Sequence, residues 1–109
     1  MKNVPHKDVH RFDLSNDQFV DAPCLNQARY GGSTCELDGL IYAFWGKSGK
    51  FNNYLSTIEK LDVASQAKKW QILELNFISS RARPMVCPIQ QNTIIIAGGV
   101  MGGKDNDDD

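Results

Sequence analysis

The sequence has no apolar run approaching the roughly eighteen residues that a membrane-spanning helix needs. Its longest apolar stretches, Leu40 to Trp45 and Ile94 to Ala97, are strand-length. No hydrophobic segment follows the early Lys2, His6 and Lys7, so no secretory leader is visible. An excess of either charge is missing too: 12 basic against 13 acidic residues give a formal net charge of −1. Scattered charges of both signs argue against nucleic acid or an anionic membrane as the main partner, since both demand a basic patch. Cysteine is sparse. Cys24, Cys35 and Cys87 form no C-x-x-C pair and leave one odd thiol under any pairing, as expected of reduced cysteines in a cytoplasmic chain. A Ser/His/Asp set, a phosphate-binding glycine loop and zinc-ligand spacing are all lacking. His6 and His10 stand four apart, but His10 falls in an expected strand and no third ligand is near. Catalysis, a cofactor and a metal are therefore not expected.

What the chain does contain is a pattern stated about twice, at a spacing of roughly fifty residues. Gln27-Ala28-Arg29-Tyr30 leads through an Asp38-Gly39 turn to Leu40-Ile41-Tyr42-Ala43-Phe44-Trp45-Gly46. Ser80-Arg81-Ala82-Arg83-Pro84 leads through Gln91-Asn92 to Thr93-Ile94-Ile95-Ile96-Ala97-Gly98-Gly99. Superposing Ala28-Arg29 on Ala82-Arg83 brings Gly46 onto Gly99 with one residue of gap. A third echo matches Val9-His10-Arg11-Phe12-Asp13-Leu14 to Ile58-Glu59-Lys60-Leu61-Asp62-Val63. Self-similarity at this period predicts stacked units, none of which buries its apolar face alone. Cys35 and Cys87 fall in corresponding places of the two repeats and are expected as buried strand residues.

Local signals give the strands. Asp38-Gly39 suits a type I′ hairpin turn, whose two central residues need positive φ, and joins Ser33–Leu37 to Leu40–Phe44. Met85–Ile89 and Thr93–Ala97 repeat the arrangement around Gln91-Asn92. The middle of the chain is two-sided. Ser56-Thr57-Ile58-Glu59 has the form of a capping box, with Leu55, Ile58, Leu61 and Ala64 at helical spacing. The echo at Val9–Leu14 has no helical continuation, because Ser15-Asn16-Asp17 follows at once, and this favours strands over Thr57–Leu61 and Lys69–Leu73. Two strands before residue 21, four from about 30 to 73, and two from about 85 to 98 predict an all-β architecture of four-stranded antiparallel meanders.

These residues resemble a kelch repeat. Gly98-Gly99 resembles the glycine doublet closing the second strand, with Gly46 in the corresponding place; Glu59-Lys60-Leu61-Asp62 resembles the third strand, and Trp70 follows Asp62 by eight residues. Arg29 and Arg83 resemble the arginine that leads into the first strand. The resemblance covers nearly the whole chain, from about Val9 to Gly99, and implies blades of a kelch-type β-propeller. On it, residues 1–24 end a preceding blade, 25–76 form one complete repeat, 77–99 begin the next, and 100–109 are an acidic loop or tail. About two blade-equivalents leave the ring incomplete, since propellers need at least about four blades. The remaining blades would come from a longer chain, the favoured reading, or from self-association.

Repeated positions carry a structural expectation: Arg29, Asp38, Gly39, Tyr42, Gly46, Asp62, Trp70, Arg83, Gly98 and Gly99 shape the blade rather than a site. Trp70 and Tyr42 are expected in the core, Asp13 and Asp62 as turn caps rather than a carboxylate pair, and the two arginines as bridges between blades. Four loops, Asp21–Asn26, Lys47–Asn53, Asn76–Arg83 and Val100–Asp109, are expected on one face. There Lys47, Lys50, Phe51, Asn52, Asn53 and Arg81 are the candidate contacts for a protein or peptide partner, with Phe51 as an aromatic anchor. The expected function is a non-catalytic interaction module, a scaffold or adaptor. The alternatives are a piece of a kelch-like oxidase or hydrolase, or a truncated product without a role of its own.

Overall fold

The computed structural model describes residues 6–48, 53–64, 69–74 and 81–101, with Arg81 and Met101 described by backbone alone. Among the described residues strand follows strand: β1 Arg11–Asp13, β2 Gln18–Val20, β3 Ser33–Leu37, β4 Leu40–Phe44, β5 Thr57–Asp62, β6 Gln71–Glu74, β7 Arg81–Ala82, β8 Met85–Ile89, β9 Thr93–Ala97 and β10 Val100–Met101. The architecture is all-β and antiparallel. Among the described residues no helix is long and apolar enough to cross a membrane.

Its centre is a four-stranded meander, β3-β4-β5-β6. The β3–β4 hairpin closes as the sequence predicts, Leu37 opposite Leu40, with Asp38 at φ 55° and Gly39 at φ 81°. The amide of Gly39 donates to Glu36 Oε2 (2.9 Å). The segment with helical spacing is strand β5, paired on one side with β4 (Phe44 opposite Ile58) and on the other with β6 (Ile58 opposite Leu73). Two two-stranded sheets flank the meander: β1–β2, with Phe12 opposite Phe19, and β8–β9, with Cys87 opposite Ile95.

The registers refine the internal repeat. Ser33 opposite Phe44 corresponds to Met85 opposite Ala97, and the second connection is longer, three residues between Ile89 and Thr93. The first strands are therefore offset by 52 residues and the second by 53. By this register Arg81, not Arg83, stands in the place of Arg29, and Arg83 stands in the place of Gly31. The backbone agrees: Gly31 has φ 73° and Arg83 φ 53°. Trp45 (φ 48°) and Gly46 (φ 99°) are matched in the same way by Gly98 (φ 69°) and Gly99 (φ 92°). Glycine is required at Gly46 and Gly99 on two counts. Besides the positive φ, a Cβ on Gly46 would meet the carbonyl oxygen of Tyr30 at 2.7 Å, and one on Gly99 that of Ala82 at 2.9 Å. Tyr30 and Ala82 are themselves corresponding residues, bridged to Lys47 and to Val100 respectively.

The core lies on the two faces of the meander. Phe44, Trp45 and Ile58 are buried on one face, where Cys35, Tyr42 and Leu73 meet Val86, Ile94 and Ile96 of the β8–β9 hairpin. On the other, Ala43, Leu61 and Trp70 are buried and covered by Ile41, Leu25 and Val9. One face thus receives β8–β9 and the other receives Val9 and Leu25, from the segments on either side of the first hairpin. Among the described residues these sheets do not close into a ring.

Candidate interaction site at the Arg29 end of the meander

Arg29 and Glu59 form the polar centre of one end of the sheet. Strand β5 points Glu59 into the segment that enters β3, and Arg29 Nη2 donates to Glu59 Oε2 at 2.8 Å, with side-chain exposures of 5% and 0%. The backbone amides of Asn26 (2.8 Å) and Gln27 (2.9 Å) and Asn26 Nδ2 (3.2 Å) also donate to this carboxylate. Arg29 Nη1 donates to the carbonyls of Trp45 and Thr57, both at 3.0 Å, and Nη2 reaches Gln27 Oε1 and Thr57 Oγ1. Burial pulls the Arg29 pKa below its ordinary value, and Glu59 acts in the opposite sense; an arginine stays charged nonetheless. The carboxylate is fully engaged, so this pair fastens structure rather than moves protons. The guanidinium joins elements of its own sheet, where the sequence suggested a bridge between neighbouring units. Arg29 Nε and Trp45 Nε1 are buried without a hydrogen-bond partner among the described residues.

The loops divide into packed and open parts. Lys47 is bridged to Tyr30 and Tyr54, and its ammonium lies 5.2 Å from the centre of the Tyr54 ring. Asn53 is exposed, and its carbonyl accepts the amide of Ser48 (2.8 Å). Lys50, Phe51 and Asn52 lie outside the described residues. Arg81 is close by along the backbone: it pairs with Met101, and the amide of Arg83 donates to the carbonyl of Gly31. Arg83 itself is exposed. The segment Asp21–Asn26, expected on this face, reaches it at Asn26, which donates to Glu59, and packs against the meander on the way. The carbonyl of Pro23 accepts from Trp70 Nε1 (2.8 Å), and the Leu25 amide donates to the carbonyl of Lys7 (2.9 Å).

The opposite end holds the turn caps. Asp13 accepts from the amide (2.9 Å) and hydroxyl (2.6 Å) of Ser15 and from Asn16 Nδ2 (3.1 Å). The Ser15 hydroxyl bond leads in holding the Asp13 carboxyl below its usual range. Asp62 accepts from the amide of Ala64 (3.1 Å) in the corresponding turn. Each carboxylate serves its own turn, and they form no pair. Trp70 is buried and Tyr42 half-buried. Cys35 is half-buried, and burial pushes its thiol up, with Cys87 and Glu36 adding to the shift. Cys87 is exposed rather than buried, because its face of β8–β9 is uncovered. His6 bridges Arg29 through its backbone, and the ring of His10 lies edge-on to Phe19 at 6.2 Å. Among the described residues no three His, Cys, Asp or Glu side chains are grouped to hold a metal.

Sequence reasoning missed two features. In the sequence Glu59 figures in an echo, a capping box and a third-strand signature but not as a buried charge, although an acidic residue next to Ile58 and two before Leu61 in a strand signals one. The second is a cavity of about 430 Å³ between β1 and the meander, lined by Val9, Thr34, Ile41, Ala43, Leu61 and Trp70 among others. No protein-family model matches the chain, and no curated protein matches it.

Proposed function

We propose that this chain is part of a kelch-type β-propeller and works as a non-catalytic protein-interaction module, a scaffold or adaptor that offers its loops to a protein or peptide. On this reading β3–β6 is one blade, β1–β2 the outer half of the blade before it, and β8–β9 the inner half of the blade after it. The observation that carries the reading is the recurrence of one backbone signature. Positive φ recurs at Gly31 and Arg83, at Trp45 and Gly98, and at Gly46 and Gly99, always at the same places relative to paired strands. Trp45 keeps the backbone of a glycine doublet where its side chain departs from it. The interaction surface is the end bearing Lys47, Asn53 and Arg81, together with Lys50, Phe51 and Asn52 of the same loop. A non-catalytic role is supported by the engagement of Glu59, Asp13 and Asp62 in hydrogen bonds that hold backbone.

Affinity capture tests the assignment of this end. The chain with Lys50, Phe51 and Asn52 all replaced by serine is compared with wild type and with Glu36→Ala at the opposite end. The reading predicts a stoichiometric partner retained by wild type and Glu36→Ala and lost by the triple variant. Equal recovery by all three chains contradicts it.

A further inference from the structure

The two faces of the meander are covered unequally, and the uncovered parts match. On the β8–β9 side, Ile58 of β5 and Cys35, Tyr42 and Phe44 of β3–β4 pack with Val86, Ile94 and Ile96. On the other side Val9, which corresponds to Ile58, packs beside Ile41, which corresponds to Ile94. Among the described residues this second contact is half made: none stands where Cys35, Tyr42 and Phe44 stand in the first, and the cavity of about 430 Å³ marks the place. The residues corresponding to those three are Cys87, Ile95 and Ala97. All three are exposed on one face of β8–β9, Ile95 at 51%, alongside Met85 at 67% exposure and Ile89 at 40%. The strand edges match in the same way. Among the described residues β1 pairs only with β2 and β9 only with β8, whereas their counterparts β5 and β4 pair with each other.

We infer that the chain associates head to tail with further copies of itself, the β8–β9 hairpin of one copy filling the cavity of the next and β9 pairing antiparallel with β1. The occupant is a second copy because the contact continues an interface already present inside the chain, using the same residues one unit further along. The register follows from Leu40 opposite Asp62 and Tyr42 opposite Lys60. It sets Thr93 of one copy against Asp13 of the next and Ile95 against Arg11. Ile95, Cys87 and Met85 then lie over Ile41 and Ala43, and Phe12 gains Ile94 as a cross-strand neighbour. The contact joins two different surfaces, so it propagates until rotation closes a ring or extends a filament. The inference rests on the stacking of the sheets and not on the partner of the loops.

Two measurements on the full chain test it. Light scattering across a concentration series is expected to give masses at multiples of the monomer for wild type and for the triple loop variant. Ile95→Lys, at an exposed position outside the chain's own core, is expected to return the monomer mass with an unchanged circular dichroism spectrum. The second measurement places cysteines at Ile95 and Arg11 in a chain whose Cys24, Cys35 and Cys87 are serine. A short thiol crosslinker is expected to give a ladder of multimers, and the pair Ile95 with Phe12, on opposite faces, is expected to give none. A wild-type chain monomeric at every concentration overturns the inference. So does assembly undiminished by Ile95→Lys, or a ladder equally strong from the out-of-register pair. Equal capture by wild type and the triple loop variant, with assembly intact, would count against the proposed function alone.

Discussion

Glu59 shows how a single residue fixes one end of this fold. A fully buried carboxylate is unfavourable unless each oxygen is engaged, and here four donors from Asn26, Gln27 and Arg29 meet it. Removing it leaves the Arg29 guanidinium buried without its counter-charge. Glu59→Ala is expected to lower stability by about 3–5 kcal/mol in urea unfolding, and Glu36→Ala, on the exposed side of the hairpin, by less than about 0.5 kcal/mol. Glycines offer a second comparison. Gly39 has open space around its missing Cβ, whereas Gly46 faces the Tyr30 carbonyl. Gly39→Ala is expected to cost about 1 kcal/mol from its positive φ alone, and Gly46→Ala clearly more. The thiols divide by environment: a maleimide probe is expected to modify the exposed Cys24 and Cys87 quickly and Cys35 slowly. The sign of the pH effect follows from the raised Cys35 pKa. The unfolded chain ionises first, so the contribution of Cys35 is whole below its ordinary value of 9.0 and is lost as pH rises through the folded value. Alkaline titration of stability should therefore fall more steeply for wild type than for Cys35→Ser.

At the level of elements, most of the strand order was legible because turns and alternation are local properties. Asp38-Gly39 announces its hairpin, and both strands of β8–β9 end where the sequence places them. The helical spacing from Leu55 to Ala64 misleads in isolation, and β5 is strand because it is paired on both sides. Pairing is non-local, so only the echo at Val9–Leu14 hinted at it. The Ala-Arg dipeptides drew the repeat out of register for a related reason. The second hairpin has a three-residue connection with positive φ at Gln91 and Asn92, and this insertion shifts Arg81 rather than Arg83 onto Arg29. The loop end was only partly legible: the basic character of Lys47 is visible in sequence, but its stacking on Tyr54 and the packing of Asp21–Asn26 against the meander depend on tertiary contacts. Deleting Gln90 leaves Gln91-Asn92 as a two-residue turn between Ile89 and Thr93. That variant is expected to keep the β8–β9 pairing, with a stability change under about 0.5 kcal/mol in urea unfolding.

Among the described residues a four-stranded sheet stands between two two-stranded ones, β1–β2 and β8–β9, with the short β7–β10 pair as a third. Phe12 and Phe19 stack edge to face with ring centres 5.0 Å apart, yet stay 45% and 72% exposed, and the outer face of β8–β9 is equally bare. Exposed apolar faces beside unpaired strand edges invite further strands. The residues on those faces repeat the ones already packed inside the chain, and this gives the next strand a defined register. Amide hydrogen exchange followed residue by residue at low and high protein concentration tests this account most directly. The account predicts slow exchange in β4 and β5 at both concentrations. It also predicts exchange in β1 and β9 that is fast when dilute and slows together on concentration. Fast exchange in β1 and β9 at every concentration, or protection of one without the other, would contradict it.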